Sequence, residues 1–568
     1  MLRAKIRFSF TCTAKAIDKI IIQPILSPFP PSILPLFSRH SIFLDYLCPQ
    51  ITGMKKKTIF VWAALAMAHL NCGILAQTKA VEKAAPQKPN IVVILCDDMG
   101  YGDLGCYGQP YISTPHLDAL AESGARFTQA YAGSPVSAPS RASLMTGQHT
   151  GHCEVRGNRE YWRDVPQVAY GIHEEPSRVG QHPLSHNHVV ITEIMKDAGY
   201  ATGLFGKWAG GYEGSPSTPE KRGIDEFFGY ICQFQAHLYY PNFLHRYSKA
   251  LGDTATIRIP LEGNIPYPMH GAGYEQRSQY SADMIHQAAL EWIDKQNGEQ
   301  PFFGMLTYTL PHAELAQPSD SILQYYQDIF TNDKNWGGDP WSRYNPVQHT
   351  HAQFAAMITR LDCYVGEIVE KLAQKGLLDN TLILFTSDNG PHEEGGADPT
   401  FFGRDGQLRG LKRQCHEGGI RIPFIASWSG KIAEGQTVDH QIAFYDLMPT
   451  FCDLMGVENY VQRYQKASDD YFDGISFAPT LFGTGKQAIH DHLYWEFEET
   501  DQIAVRQGDW KLIVKSGKPE LYDLSNDLHE DKNVADAHPD IVARLIDIIY
   551  DEHIESPLFK VTLPERTP

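Results

Sequence analysis

Two apolar runs that end in carboxylates constrain this chain more than any other feature of it. Ile91-Val92-Val93-Ile94-Leu95 is continuous, β-branched and of strand length, and it stops at Asp97-Asp98. A run without polar alternation predicts a strand covered on both faces, as in a sheet packed between layers of helices. Thr381-Leu382-Ile383-Leu384-Phe385 repeats the pattern and ends in Ser387-Asp388-Asn389-Gly390. Two further strand-like runs, 302–308 and 200–205, lead into Pro311-His312 and Lys207. Amphipathic stretches lie between them: 192–198 closed by Gly199, 281–295, and 351–375 closed by Gly376. In the last, Phe354, Met357, Ile358, Leu361, Val365, Ile368 and Leu372 recur at helical spacing, with glycine as the stop. Strands alternating with helices predict an α/β layered fold. Such sheets bind ligands beyond the carboxyl ends of their strands, so Asp97, Asp98, Lys207, His312, Asp388 and Asn389 are expected in one crevice. Asp97, Asp98, Asp388 and Asn389 offer only hard oxygen donors, which suit calcium or magnesium, and no Cys or His ligand spacing points to zinc.

After Gly483 the pattern changes. His492–Trp495, Gln502–Arg506, Trp510–Val514 and Glu520–Leu524 read as short antiparallel strands turned at Gly508-Asp509, and Pro539-Asp540 opens a helix. The expected organisation is therefore a main body over 88–483 and a smaller C-terminal α+β subdomain, with an antiparallel sheet, over 484–568. At the other end Met54-Lys55-Lys56-Lys57 and the apolar stretch Thr58–Leu75 form a secretory signal pattern over 54–76, followed by a polar linker over 77–87. Met54 is read as the initiator and 1–53 as an upstream mis-start. The mature protein is then exported and has no stable membrane span. Cys12, Cys48 and Cys72 precede it; the seven remaining of ten cysteines are irregularly spaced, an odd number that does not make a disulfide framework. Cys96, Cys232 and Cys363 lie in apolar or aromatic stretches and are expected as core thiols. A net charge of −18, from 49 basic and 67 acidic residues, argues against a nucleic-acid partner but leaves room for an anionic substrate held by a few local cations.

The segment Ser137-Ala138-Pro139-Ser140-Arg141, with Leu144 and Thr146-Gly147 after it, reads as a turn feeding a helix whose N-terminus favours an anion beside Arg141. It also resembles the signature of the sulfatase family: Cys or Ser, any residue, Pro, any residue, Arg. Further matches follow in order: Asp97-Asp98 with Gly102-Asp103, Gly206-Lys207-Trp208, Gly223–Tyr230, Pro311-His312, Ser387-Asp388-Asn389-Gly390, and Lys412 before Glu417–Pro423. The resemblance implies an alkaline phosphatase-like fold, with a large central mixed β-sheet flanked by helices and the small C-terminal subdomain walling one side of the pocket. It implies that Ser137 is oxidised to formylglycine (3-oxoalanine), and that Asp97, Asp98, Asp388 and Asn389 hold Ca2+ with the modified Ser137 beside it. Arg141 and Lys207 would position the nucleophile, Lys412 and His312 would grip the sulfate and leaving group, Asp388 is the expected base, and His312 the expected general acid.

One position departs from the family pattern. A histidine often stands two residues after the lysine of Gly206-Lys207-Trp208, where it assists sulfate release, and here that position is Ala209. His237 is the expected substitute. A serine at the modified position implies maturation by a radical-type enzyme in the cytoplasm before export, which fits a Gram-negative bacterium and a periplasmic or cell-surface destination. The substrate is expected to be a sulfated carbohydrate. His237, Tyr239, His392, Glu394 and Trp495 are expected to contact it, because aromatic faces stack on sugar rings and strand-end loops read substrates. The combination of Gly229-Tyr230, Ala236-His237, Tyr239-Tyr240-Pro241, Gly395–Pro399 and Trp495-Glu496-Phe497 is similar to a bacterial subgroup active on 4-O-sulfated galactose or N-acetylgalactosamine. The alternatives are a phosphoester or phosphonate hydrolase of the same superfamily and a noncatalytic sulfated-glycan binding protein with unmodified Ser137.

Overall fold

The computed structural model describes residues 88–160, 180–264, 277–338, 344–404, 406, 408–467 and 470–566. The upstream segment, the signal pattern and the linker expected over 1–87 lie outside them. The expected strands form, and they sit side by side. Eleven strands build one sheet: β1 (Asn90–Cys96), β2 (Ala125–Tyr131), β3 (Ala201–Lys207), β4 (Glu226–Tyr230), β5 (Phe243–Ser248), β6 (Ile257–Pro260), β7 (Phe302–Thr307), β8 (Thr381–Ser387), β9 (Arg421–Ser427), β10 (Gln436–Val438) and β11 (Ile442–Ala443). Their order is β10-β2-β9-β8-β1-β7-β3-β4-β5-β6, with β11 also paired to β2. The four strands whose ends carry polar groups, β8, β1, β7 and β3, are consecutive and parallel. Because β9 runs antiparallel to both β8 and β2, the sheet is mixed, and β2 points the same way as β1.

Alternation along β1 shows why the strand reads as wholly apolar. Val92, Ile94 and Cys96 enter one core cluster, while Ile91, Val93 and Leu95 enter the other. The first cluster is covered by α1 (Pro115–Glu122), α4 (Ser281–Asp294) and α5 (Thr350–Gln374). The second is covered by α2 (Ser137–Thr146), α3 (Ile191–Asp197) and α6 (Leu447–Met455). A fully buried side chain of this size contributes about 1.5–3 kcal/mol relative to exposure, so the sheet holds both helix layers to itself. The C-terminal subdomain has a four-stranded antiparallel sheet in the order β12 (Leu493–Phe497), β13 (Gln502–Gln507), β14 (Trp510–Lys515) and β15 (Lys518–Asp523). Its face formed by Tyr494, Ile503, Val505, Leu512 and Val514 packs on α7 (Pro539–Glu552) through Ile541, Leu545 and Ile549.

All seven cysteines in the described residues are free. Cys96 and Cys232 are buried as expected, but Cys363 is only half-buried, because it lies on the flank of α5 and not on its inner stripe. Among the described residues no helix is long and apolar enough to cross a membrane.

Candidate active site

The carboxyl ends of the parallel strands deliver their polar groups to one place. Asp97 and Asp98 follow β1, Asp388 and Asn389 follow β8, Lys207 closes β3, and His312 lies five residues beyond β7. Ser137 opens α2, which leaves the same edge of the sheet after β2, and Lys412 precedes the amino end of the antiparallel β9. Two glycines let these segments crowd together. At Gly206, φ is 127° and a Cβ would stand 2.0 Å from the Thr307 carbonyl oxygen; at Gly390 it would stand 1.9 Å from that of Gly418.

Ser137 Oγ donates to Asp97 Oδ1 at 2.9 Å and accepts from Lys207 Nζ at 3.1 Å, while the same ammonium reaches Asp97 Oδ2 at 2.7 Å. Arg141, one helical turn on, donates through Nε to Asp388 Oδ2 at 2.9 Å and through Nη1 to the Lys207 carbonyl at 3.0 Å. Lys412 Nζ donates to Asp98 Oδ2 at 2.9 Å, to His312 Nε2 at 2.9 Å and to Glu394 Oε2 at 3.0 Å. Asp98 N–H donates to Asp388 Oδ1 at 3.1 Å, and Asn389 Nδ2 to Asp98 Oδ1 at 2.7 Å. These groups are nearly all inaccessible to solvent.

Burial works to raise the carboxyl of Asp97, but Lys207, His312 and Arg141 outweigh it and hold it well below the usual range. Asp98 behaves likewise and is held at about 2, chiefly by His312 and Lys412 against burial. Asp388 goes the other way: burial and then the Asp97 carboxylate push it up to about 6 against Arg141. Burial lowers His312, whose Nδ1 donates to the Ala313 carbonyl, so that Nε2 is free to accept from Lys412. For Lys412, burial opposes the charge, yet Asp98 and Glu394 outweigh it and hold the ammonium above the usual lysine range.

A divalent cation fits this oxygen cluster. Asp97 and Asp98 bring carboxylate oxygens close together, with His312 in the same group; Asp388 and Asn389 are each hydrogen-bonded to Asp98, and Asn389 Oδ1 is buried with no hydrogen-bond partner, a cost that a hard cation would remove.

A cavity of about 610 Å3 opens over the cluster, with Ser137, Lys207, His237, His312, Glu394 and Lys412 among its lining. His237 stacks on His312, ring centroids 4.5 Å apart, and burial, then the charges of His312 and Lys207, hold its pKa well below the usual histidine range. Glu394 lines the cavity as expected. Three expected substrate contacts do not. Trp495 is fully buried, its indole N–H donating to the Ala132 carbonyl and its ring against Tyr131, because β12 turns that face inward. Tyr239 is fully buried and donates to the carbonyls of Thr309 and His312, so it shapes the His312 loop from behind. His392 stacks behind His312 with Nε2 on the Pro311 carbonyl, and burial takes its pKa down to about 3.

Other functional residues had little or no signal in the sequence. Arg404, fully buried, pairs with Asp103 at 3.1 Å and donates to the carbonyls of Asp98 and His392, fixing both loops. Arg413 lines the cavity next to Lys412, and Glu498 and Glu499 reach it from the C-terminal subdomain. That subdomain therefore does wall the pocket.

A closed floor of cations and carboxylates around one hydroxyl, at the carboxyl edge of a mixed α/β sheet, defines a hydrolase of anionic esters. The family model for sulfatases matches residues 89–457, and the model described as N-sulphoglucosamine sulphohydrolase, C-terminal, matches 410–554. Arylsulfatase A of Homo sapiens is 30% identical over 502 residues, covering 81% of this chain and 87% of that protein. N-acetylgalactosamine-6-O-sulfatase of Bacteroides thetaiotaomicron is 28% identical over 517 residues, covering 82% and 93%. The crystal structure of Ps i-CgsB in complex with k-i-k-neocarrahexaose superposes with a TM-score of 0.62 at 25% identity, covering 84% of this chain and 95% of that one. The chain belongs to the sulfatase family, as a sulfuric ester hydrolase with an alkaline phosphatase-like sheet.

Proposed function

We propose that this protein removes O-sulfate from a sulfated carbohydrate, with Ser137 as the residue that is matured to formylglycine and Ca2+ as the cation. The observation that carries the reading is the placement of Ser137 Oγ between Asp97 and Lys207 at the floor of the cavity. Formylglycine at this position supplies a hydrated aldehyde whose hydroxyl is a better nucleophile than a serine hydroxyl without a base. Asp97, Asp98, Asp388 and Asn389 would hold the cation, which contributes positive charge opposite the sulfate oxygens.

The chain's own residues do the rest. Lys207 and Arg141 hold the side chain at position 137 and Asp388 in register. Lys412 faces the position of the ester and keeps its proton, while His312 is neutral and accepts from it. The proton for the departing sugar oxygen is thus stored on the Lys412–His312 pair and not on His312 alone. His237, stacked on His312 and held neutral, takes the base role that Ala209 cannot fill. A relative named N-acetylgalactosamine-6-O-sulfatase supports an N-acetylgalactosamine sulfate as substrate, and does so at the 6 position and not at the 4 position that the sequence suggested; the signal pattern supports an exported, periplasmic enzyme matured in the cytoplasm before export.

The test is to purify the protein from a host with a radical-type maturase and assay sulfated monosaccharides and aryl esters. Inorganic sulfate is expected, the peptide carrying Ser137 should be lighter than the serine form by two hydrogens, and a calcium chelator should abolish turnover until Ca2+ is restored. Release of phosphate in place of sulfate, or unmodified Ser137 in protein that still binds sulfated glycans, would replace this reading with a phosphoester hydrolase or a binding protein.

A further inference from the structure

The turn that carries Lys412 is held in a shape that its own residues do not favour. Gln414 N–H donates to the Leu411 carbonyl at 3.0 Å, which closes a β-turn with Lys412 second and Arg413 third. Arg413 has φ 74°. A positive φ at the third place of such a turn normally belongs to glycine or asparagine, because the Cβ of a larger residue crowds a carbonyl oxygen there. Lys412 depends on that shape. Its ammonium is bonded at once to Asp98, His312 and Glu394, from a side chain only 4% exposed.

The restraint comes from the C-terminal subdomain. Gln502, buried at the start of β13, donates through Nε2 to the Arg413 carbonyl at 3.0 Å and accepts at Oε1 from Cys415 N–H at 3.0 Å. Thr500 Oγ1 donates to the same Arg413 carbonyl at 3.2 Å and accepts from Gln502 Nε2. One buried amide therefore grips the turn with both of its polar atoms. It is itself fixed, because Gln502 pairs with Phe497 on one side of β13 and Lys515 on the other, and Glu498 N–H donates to the Arg156 carbonyl of the main body at 3.1 Å. Arg413 N–H donates to the Pro135 carbonyl at 3.0 Å, two residues before Ser137, so the lysine turn is also tied to the segment that carries the nucleophile. The Arg413 guanidinium pairs with Glu394, the carboxylate that Lys412 also holds. A non-glycine residue kept in this conformation at the mouth of a site points to function.

We propose that Gln502 is a positioning residue for sulfate ester cleavage: it keeps Arg413 in the left-handed conformation, and through that turn it keeps the Lys412 ammonium at the floor of the pocket. Turnover then depends on the C-terminal subdomain. The inference rests on the sulfatase reading and deepens it. Gln502 is not among the residues that line the cavity, so it acts through the turn and not on the substrate. A group misplaced by about 1 Å costs on the order of 100-fold in rate, whereas a buried amide that serves the fold alone changes stability and leaves the rate of folded molecules as it was.

The experiment measures kcat/KM on N-acetylgalactosamine 4-sulfate, N-acetylgalactosamine 6-sulfate and 4-nitrophenyl sulfate for wild type, Gln502→Met, Arg413→Gly and the double variant. Each protein is shown by peptide mass to carry the formylglycine and by thermal unfolding to be folded at the assay temperature. Methionine keeps the length and bulk of glutamine and removes its hydrogen bonds, while glycine takes a positive φ without restraint. Gln502→Met is expected to lower kcat/KM by about 30-fold when Arg413 is present and by no more than about threefold in the Arg413→Gly background, whatever Arg413→Gly does by itself. An equal loss in both backgrounds, the mark of a purely structural residue, would overturn the proposal, as would a loss below about threefold with Arg413 in place. Gln502→Glu keeps the acceptor for Cys415 and loses the donor to Arg413, and it replaces the methionine variant should that one not fold. A loss of about tenfold, relieved by Arg413→Gly, is expected from it, and an unrelieved loss would overturn the proposal. Absence of sulfate release from all three substrates by wild-type protein that carries the formylglycine would overturn the sulfatase reading, and the proposal with it.

Discussion

His237 shows how far single residues can be argued. Its ring lies in the cavity, stacked on His312, and burial, with the ammonium groups of Lys207 and Lys412 nearby, keeps it neutral, the state a base needs. If it completes turnover in place of the histidine absent at Ala209, His237→Ala should slow steady-state sulfate release by about 100-fold, the usual scale of general-base loss. A first, stoichiometric burst of sugar alcohol should survive in rapid-quench measurements. An unchanged steady rate would leave His237 as packing for His312. Residue types at strand ends identified Asp97, Asp98, Lys207, His312, Asp388 and Asn389 without coordinates, because buried strands must surface somewhere and their ends are where polar groups can stand. Trp495, Tyr239 and His392 misled for the converse reason: an aromatic side chain in a loop or strand has no period that tells a wall of the pocket from the core behind it.

At the scale of elements, α7 is fastened to the main body by charge rather than by apolar contact alone. Glu552, at its last turn, accepts from His149 Nε2 at 3.1 Å and His492 Nε2 at 3.1 Å and lies 3.4 Å from His152 Nε2, while His152 Nδ1 sits 2.9 Å from Asp473. His149 Nδ1 accepts from Gly151 N–H, so its Nε2 carries the proton donated to Glu552. Hydrogen bonds from His149 and His492 hold the Glu552 carboxyl well below its usual range, and Glu552 lifts His492 despite burial. A depressed carboxyl stabilises the fold above its unfolded pKa, near 4.5, and that gain is lost as pH falls. The lifted histidine adds stability that is lost as pH rises past its ordinary range. Glu552→Gln should therefore cost about 1–2 kcal/mol near pH 6, discounted for partial exposure, with a smaller effect at pH 3.5 and at pH 9. Thermal unfolding at the three pH values reads it, and an equal loss at all three would refute the charge account. The strands and helices themselves were legible from their apolar patterns, but this latch was not, since its members lie 403 residues apart along the chain.

For the whole molecule, the joint between the two sheets is a buried charge network. Lys511 of β14 lies 2.9 Å from Glu417 and 3.0 Å from Glu530, and Glu417 N–H donates to Glu530. Burial, and the neighbouring Glu417 against Lys511, push the Glu530 carboxyl up to about 7. A carboxyl raised in the folded state favours folding below its unfolded pKa, and that contribution drains away as pH rises from about 4.5 through 7. Glu530→Gln should flatten this slope, worth about 1–3 kcal/mol between pH 5 and 8 by the usual conversion of a pKa shift. Denaturant titrations at both pH values are the measurement, and a slope identical to that of the parent would exclude Glu530 as its source.

What the sequence determined by itself was the α/β sheet, the order of its chemistry-bearing strand ends, the antiparallel C-terminal subdomain and the segment at Ser137 that resembles the sulfatase signature. Each of these is written in neighbours along the chain, through strand runs, helical spacing and short motifs. Only the tertiary structure decided which side chains see the cavity: that Arg404 braces the loops from behind, that Tyr239 and Trp495 are core, and that Glu498 and Glu499 come from the far end of the chain to line it. Contact across hundreds of residues depends on how the two sheets pack, and packing leaves no local pattern to read.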